Sequence, residues 1–123
     1  MGIFNCRIEV GTADQGRFEP IELMVDSGST YTWLPRSLIQ RLGLRVSGKR
    51  PVRLADGRIL EKEGVDALIR IEGEVHSNFC LIANEGDGLL LGSLTLETFS
   101  LGVDPMNRKL VPVVASAMSA ELI

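Results

Sequence analysis

The sequence has few of the residues that build several common kinds of reactive site. Its 123 residues include two cysteines, Cys6 and Cys80, and a single histidine, His76. Two cysteines make no disulfide framework, and one histidine excludes a metal site with several histidines. A single histidine also excludes any Ser-His or Cys-His nucleophile system that does not use His76 itself. We therefore expect no bound metal and no cofactor.

Long apolar runs and an excess of basic charge are also missing. The longest apolar runs, such as residues 89–91, are far too short to cross a bilayer, and no signal peptide is visible. Thirteen basic residues against sixteen acidic ones give a net charge of −3, so no basic patch indicates nucleic acid. We expect a cytoplasmic protein with reduced thiols that binds neither nucleic acid nor membranes.

What is present is the composition of one soluble domain with a real core. Apolar residues make up 45% of the chain and charged residues 24%, which is ordinary for a globular fold. The length suits a single domain, residues 1–123. Near its start, Phe4, Cys6, Ile8 and Val10 alternate with polar residues, which predicts a strand with one buried face.

Turn signals at short intervals predict further strands. The polar, glycine-bearing segment at 11–16 predicts a hairpin loop, and residues 72–74 predict another turn. Asp56 and Gly57 stand between two strand-like segments, and Asp-Gly is a strong hairpin signal because both residues tolerate positive φ. Frequent turns between alternating segments indicate a small, mostly β barrel or sandwich.

Two short stretches have helical spacing instead. Apolar residues follow Pro35, which suits a first helical position, and Gly43 is a natural residue just beyond a helix end. This pattern predicts a helix at about 35–42. A second short helix is predicted at about 94–99.

A carboxylate stands where a predicted apolar strand ends. Asp26 is followed by Ser27, Gly28 and Ser29. A carboxylate at the end of a buried strand is costly unless it is hydrogen-bonded, and both serines can donate to it. Gly28 permits a backbone path that other residues cannot take. From local chemistry alone, the favoured interpretation is an Asx-turn at the strand end.

The longer string at residues 25–35, Val-Asp-Ser-Gly-Ser-Thr-Tyr-Thr-Trp-Leu-Pro, resembles the active-site loop of aspartic proteases. A second family element is a run of two or three apolar residues followed by a glycine and a short helix, and the chain matches it at residues 89–94, which include Leu90, Leu91 and Gly92. The resemblance spans about residues 21–113. With one Asp-Ser-Gly and the length of one lobe, the chain is similar to the single-lobe, retropepsin-like branch of the family.

The resemblance implies a small closed β-barrel of the retroviral aspartic protease type, with one or two short helices and a flap hairpin. The segment in the flap position consists of Leu54, Ala55, Asp56, Gly57 and Arg58. Asp56 departs from the family pattern, because flap tips are usually glycine-rich and neutral. We interpret Asp56 as the residue that an Asp-Gly turn demands; the alternative is that it repels acidic substrates.

The function implied is that of an aspartic endopeptidase, active as a homodimer on a polypeptide substrate. Asp26 of each subunit would share one proton: the ionised member activates a water, and the protonated member polarises the scissile carbonyl. Ser27 would tie each loop to the partner's loop, Gly28 would turn its N–H to the carboxylate, and Ser29 would donate a further bond to it. The alternative is a proteolytically inactive peptide-binding or dimerisation module.

The remaining polar and sulfur residues have structural interpretations. We expect His76 at the surface or rim, and Cys6 and Cys80 as small core residues. Residues 115–123 form either a short amphipathic helix or a frayed tail. The resemblance makes this tail relevant, because the termini of retroviral enzymes build the dimer interface.

Overall fold

Nine strands and two short helices make up residues 2–116, the part of the chain that the computed structural model describes. In chain order the elements are β1 (Gly2–Gly11), β2 (Phe18–Asp26), β3 (Trp33–Pro35), α1 (Arg36–Arg41), β4 (Gly48–Arg53), β5 (Ile59–Ile71), β6 (Glu74–Ala83), β7 (Leu90–Leu91), α2 (Ser93–Thr98), β8 (Leu101–Asp104) and β9 (Lys109–Pro112). The prediction of a mostly β fold with two short helices is confirmed.

Seven of the strands form one sheet. Its order is β3-β6-β5-β1-β2-β7, with β4 paired to β5, while β8 and β9 form a separate two-stranded sheet. The pairs β2·β7 and β3·β6 are parallel and the others are antiparallel. Within residues 2–116 no ladder joins β3 to β7, the two ends of this path. The closed barrel is therefore not confirmed.

The main core lies on one face of the sheet, as the alternation in β1 predicts. Phe4, Ile8 and Val10 are buried, whereas Asn5 and Arg7 between them are exposed. Side chains from β2, β3, β5, β6, β7 and both helices complete the same cluster. Trp33, Leu81 and Ala83 form a second, smaller cluster, and in β6 its residues alternate with those of the main core. Fully burying a valine, leucine, isoleucine or phenylalanine side chain contributes roughly 1.5–3 kcal/mol to the free energy of folding.

Helix α1 ends where the sequence predicts, but its predicted first residue is corrected. Pro35 is the N-cap rather than the first helical residue, with φ −67° and ψ 142°, because it is also the last residue of β3, where it pairs with Ala83. Gly43 has φ +66°, and its N–H donates to the Gln40 carbonyl at 3.1 Å. Glycine adopts this left-handed conformation without strain, so the helix ends where predicted.

The β4–β5 hairpin, residues 48–71, contains the segment predicted as a flap. It is called the flap below, and its role as a flap stays a prediction. At its tip, the Gly57 N–H donates to the Leu54 carbonyl at 2.9 Å, and the Leu54 N–H donates to the Arg58 carbonyl at 2.8 Å. Gly57 has φ +89°, whereas Asp56 does not have positive φ. The tip is thus a three-residue loop with a glycine bulge, instead of a turn with positive φ at both residues.

The remaining predictions concern membrane spans, the C-terminal tail and the domain boundary. Within residues 2–116, no helix combines the length and the apolar character that crossing a bilayer requires. Of the tail predicted at 115–123, residues 117–123 lie outside the described residues. The single-domain boundary at 1–123 stays a prediction.

Candidate active site

Asp26 ends β2 and lies half-buried in a tight turn. The Gly28 N–H donates to Asp26 Oδ1 at 3.0 Å, and the Ser29 N–H donates to the Asp26 carbonyl at 3.1 Å. The first bond makes an Asx-turn, so the simplest local interpretation holds. It also means that the Gly28 N–H faces the carboxylate, as the protease resemblance implies.

The Ser29 hydroxyl has a different partner from the predicted one. It donates to the Tyr31 carbonyl at 2.8 Å. A hydroxyl has one proton to donate, so in this single chain Ser29 does not donate it to the Asp26 carboxylate. Ser29 instead stabilises the turn that follows Asp26. Ser27 is exposed, and its predicted bond to a partner loop stays a prediction.

The second glycine loop packs directly against the Asp26 loop. β7 lies parallel to β2, with Leu91 opposite Val25. A Cβ on Gly92 would lie 2.3 Å from the Tyr31 carbonyl oxygen, which is closer than any real contact, so glycine is needed for space. Beyond it, the Ser93 N–H donates to the Ser29 carbonyl at 2.8 Å. The start of α2 thereby holds the Asp26 loop by its backbone.

A buried threonine pair joins the two loops from inside. The Thr32 hydroxyl accepts from the Gly92 N–H at 3.0 Å and lies 2.6 Å from the Thr95 hydroxyl. Both threonines are at most 1% exposed. The Thr32 carbonyl accepts from the Leu81 N–H at 2.9 Å. Sequence reasoning missed this pair, because neither a threonine in a polar loop nor one in a short helix gives a signal of its burial.

The Asp26 loop and the flap face each other across a cleft of about 560 Å³. Its lining includes six residues that the sequence predicted for the site: Asp26, Gly28, Ser29, Leu54, Ala55 and Leu90. Seven further lining residues were not predicted as part of the site: Thr30, Tyr31, Trp33, Pro51, Val52, Arg53 and Leu81. The other predicted residues, Ser27, Asp56, Gly57, Arg58, Leu91 and Gly92, are not part of the lining. Of these, Leu91 and Gly92 are buried behind the Asp26 loop.

At the flap tip, Asp56 is held by its own turn. Its carboxylate accepts from the Arg58 N–H at 3.0 Å and from Arg58 Nε at 2.7 Å. These bonds, the backbone one first, lower the pKa of Asp56. The interpretation of Asp56 as a turn residue is confirmed. Because its charge is paired with Arg58, it gives little ground for repelling acidic substrates.

Aromatic residues connect the floor of the cleft to the base of the flap. The ring of Tyr31 meets Phe79 edge to face, with centroids 5.8 Å apart. Phe79 packs so closely on Gly64 of β5 that a Cβ there would lie 2.3 Å from the ring. Nearby, Lys62 Nζ lies 5.5 Å from the centroid of Trp33 and pairs with Asp87 at 2.8 Å. Flap and floor are therefore packed on shared side chains.

The other candidate residues lie away from the cleft lining. His76 is exposed, with Nε2 3.1 Å from Glu74. Cys80 is buried and Cys6 is half-buried; burial raises the pKa of Cys6 and raises that of Cys80 to about 12, so both stay thiols at neutral pH. In the described part of the chain, no group of three or more His, Cys, Asp or Glu side chains could hold a metal ion.

Comparisons with known proteins agree with this geometry. The family model described as aspartyl protease matches residues 8–103. EIAV protease complexed with the inhibitor HBY-793 is similar in structure, with a TM-score of 0.57, 18% identity, and coverage of 87% of this chain and 90% of that one. No curated protein gives a significant match.

A second similar structure is the retroviral protease-like domain of Ddi1 from Leishmania major. Its TM-score is 0.59 at 15% identity, with coverage of 91% of this chain and 89% of that one. At such low identities the likeness concerns the fold alone.

Proposed function

Because the chain belongs to the aspartyl protease family, in its retropepsin-like branch, we propose that it hydrolyses peptide bonds. The reaction uses a water activated between two Asp26 carboxylates, one from each of two copies of the chain. The substrate is an extended polypeptide that lies between the Asp26 loop and the flap.

The main support for this proposal is the number of carboxylates that line the cleft. Asp26 is the only carboxylate in the lining of the cleft between the described flap and floor. Peptide hydrolysis of this class needs one carboxylate as base and a second as acid, and the lining supplies one. A two-fold axis beside Asp26 brings the second from an identical chain.

The two carboxylates share one proton, because two such charges in close contact are not both stable; aspartic proteases are the standard example of this behaviour. The ionised Asp26 takes a proton from the water as it attacks the carbonyl carbon. The protonated Asp26 donates to the carbonyl oxygen, and a proton then passes to the leaving nitrogen. The Gly28 N–H, 3.0 Å from Oδ1, holds the carboxylate in its orientation.

The surface around the Asp26 loop is suited to such a pairing. Ser27 and Gly28 are exposed on the loop. The apolar side chains of Met24, two residues before Asp26, and of Leu94, whose N–H donates to the Thr30 carbonyl, are each 40% exposed. A two-fold contact at this surface would remove apolar area from water on both copies. Ser27 would then be placed to bond to the partner's loop.

The cleft walls suit an extended peptide with apolar side chains. Trp33, Leu81 and Leu90 line the floor side, and Val52 and Leu54 line the flap side. Between these walls a peptide can pair with protein backbone as an added strand, so that main-chain bonds supply affinity and apolar pockets supply selectivity.

The test is cleavage of an unfolded protein, such as casein, across acidic to neutral pH, with and without a statine-type inhibitor. We expect cleavage that the inhibitor blocks and that Asp26→Asn abolishes. The matched control is Asp66→Asn, the same change at an exposed carboxylate of β5 outside the cleft lining.

Cleavage by purified Asp26→Asn protein at the wild-type rate would overturn the assignment of Asp26. Peptide binding by the wild type without cleavage at any pH would favour the inactive peptide-binding module instead.

A further inference from the structure

β4 and the turn that follows it, residues 48–58, have a charge opposite in sign to that of the whole chain. Residues 48–58 contain the basic residues Lys49, Arg50, Arg53 and Arg58 and one acidic residue, Asp56, in a chain of net charge −3. Asp56 is paired with Arg58 at 2.7 Å. Three basic residues of β4 therefore remain to be accounted for.

None of these three residues has a carboxylate partner among residues 2–116. Arg50 donates to the Lys49 carbonyl at 2.8 Å and stacks on Phe79, with Cζ 4.5 Å from the ring centroid. Arg53 donates only to the Gly57 carbonyl, at 3.4 Å. The one acidic side chain of β5 on the same face as Arg53 without an ion pair is Glu61, which stands opposite Pro51 in the ladder. β4 itself contains three basic residues and no acidic one, so its net charge is positive.

Arg53 is the member of this set that lines the cleft. Asp26 supplies the one carboxyl group of the lining, and Arg53 supplies its one basic side chain. The proposed function uses Asp26 for the chemistry, so Arg53 is the charged group left to recognise a side chain of the bound peptide. A guanidinium with a long bond to one carbonyl still has several donors to offer, and carboxylates match its planar fork.

We propose that Arg53 binds an acidic side chain of the polypeptide substrate, so that the cleft selects acidic over neutral and basic peptides. This inference rests on the peptide-binding part of the proposed function and not on hydrolysis. In the two-fold assembly, each half of the cleft carries its own Arg53, so acidic residues on either side of the scissile bond are favoured.

Trp33 provides a direct readout of binding. It is the only tryptophan of the chain, it lines the cleft, and it is 8% exposed. The experiment titrates Asp26→Asn protein, which does not consume its ligand, with short capped peptides that contain no tryptophan. One Glu is placed at successive positions of a Leu- and Ala-rich peptide, and each peptide has a Gln and a Lys counterpart.

At one position or more, the Glu peptide is expected to bind about two- to fivefold more tightly than its Gln counterpart at low salt, with Lys the weakest, as for an exposed ion pair. The preference should shrink at about 1 M salt because exposed charges are then screened. It should disappear when Arg53→Gln is added. Arg7→Gln, the same change on β1 in a separate surface depression, should keep it.

Equal binding of Glu and Gln peptides at every position, or an unchanged preference in the Arg53→Gln protein, overturns the inference and leaves peptide hydrolysis untouched. The same ranking measured as KM on the wild type checks that Asp26→Asn has not altered the cleft. Charge-ranked binding without any cleavage by the wild type overturns the hydrolysis and leaves the role of Arg53 standing. Failure of every peptide to bind contradicts both.

Discussion

Replacing Gly92 with alanine should destabilise the protein strongly, although the backbone there suits any residue. Gly92 has φ −95° and ψ 174°, which is ordinary extended backbone, so conformational freedom is not the reason for glycine. Space is the reason. The added Cβ would lie 2.3 Å from the Tyr31 carbonyl oxygen and 2.9 Å from the Ser29 carbonyl oxygen. Both contacts are backbone atoms, so no side-chain rotation relieves them.

The size of the effect follows from two terms. Forcing a methyl group into a packed site costs about 1–3 kcal/mol. Moving the loops apart also weakens the bond from the Gly92 N–H to the Thr32 hydroxyl, 3.0 Å in the structure. A buried donor without its acceptor costs about 1–3 kcal/mol more. Together they reach about 2–6 kcal/mol, a large part of the 5–15 kcal/mol typical of a whole domain.

Urea unfolding followed by Trp33 fluorescence measures this loss, because Trp33 is the only tryptophan and directly follows Thr32. Protein concentration is held constant, since association would add to the apparent stability. The matched control is Gly88→Ala, just before β7. Its Cβ would meet only the Leu90 side chain, at 3.5 Å, which is ordinary contact. We expect the control to lose less than about 1 kcal/mol.

If Gly92→Ala unfolds at the same urea concentration as Gly88→Ala, the contact between the two loops is not what demands glycine. Close packing of the second loop on the Asp26 loop would then not be a source of stability.

Three further predictions concern the buried pair, the assembly and the acid limit. Thr32→Val should cost more stability than Thr95→Val, by about 1–3 kcal/mol, because it alone leaves a buried backbone N–H without an acceptor; equal midpoints in urea would contradict this. Specific activity should fall on dilution, and excess Asp26→Asn protein should inhibit the wild type; activity strictly linear in concentration would refute the shared site. The hydrogen bonds from Arg70, 2.9 and 3.0 Å long, lower the pKa of Glu9, so their contribution is present above the unfolded pKa and lost as pH falls through the folded one. Thermal melts of Glu9→Gln should therefore change less than those of the wild type between neutral pH and pH of about 3, and parallel curves would contradict it.

The sequence by itself determined the features that depend on neighbouring residues. The alternation in β1 marks its buried face, and Gly43 ends α1, because each depends on a few adjacent side chains or one backbone conformation. The Asp26 turn and the glycine loop at Gly92 are likewise visible as short strings, and the family match at residues 8–103 agrees with them.

Only the tertiary structure decided how these strings meet. Thr32 and Thr95 are 63 residues apart and bond only because β7 comes to lie beside β2. The same approach makes glycine necessary at position 92, because a Cβ there would lie 2.3 Å from the Tyr31 carbonyl oxygen. These contacts join residues far apart in the chain, so no local pattern of polarity or spacing announces them. Strand β3 gives no periodic signal of its own for a related reason: three residues are too short to show a period, and its pairing with β6 is what makes it a strand.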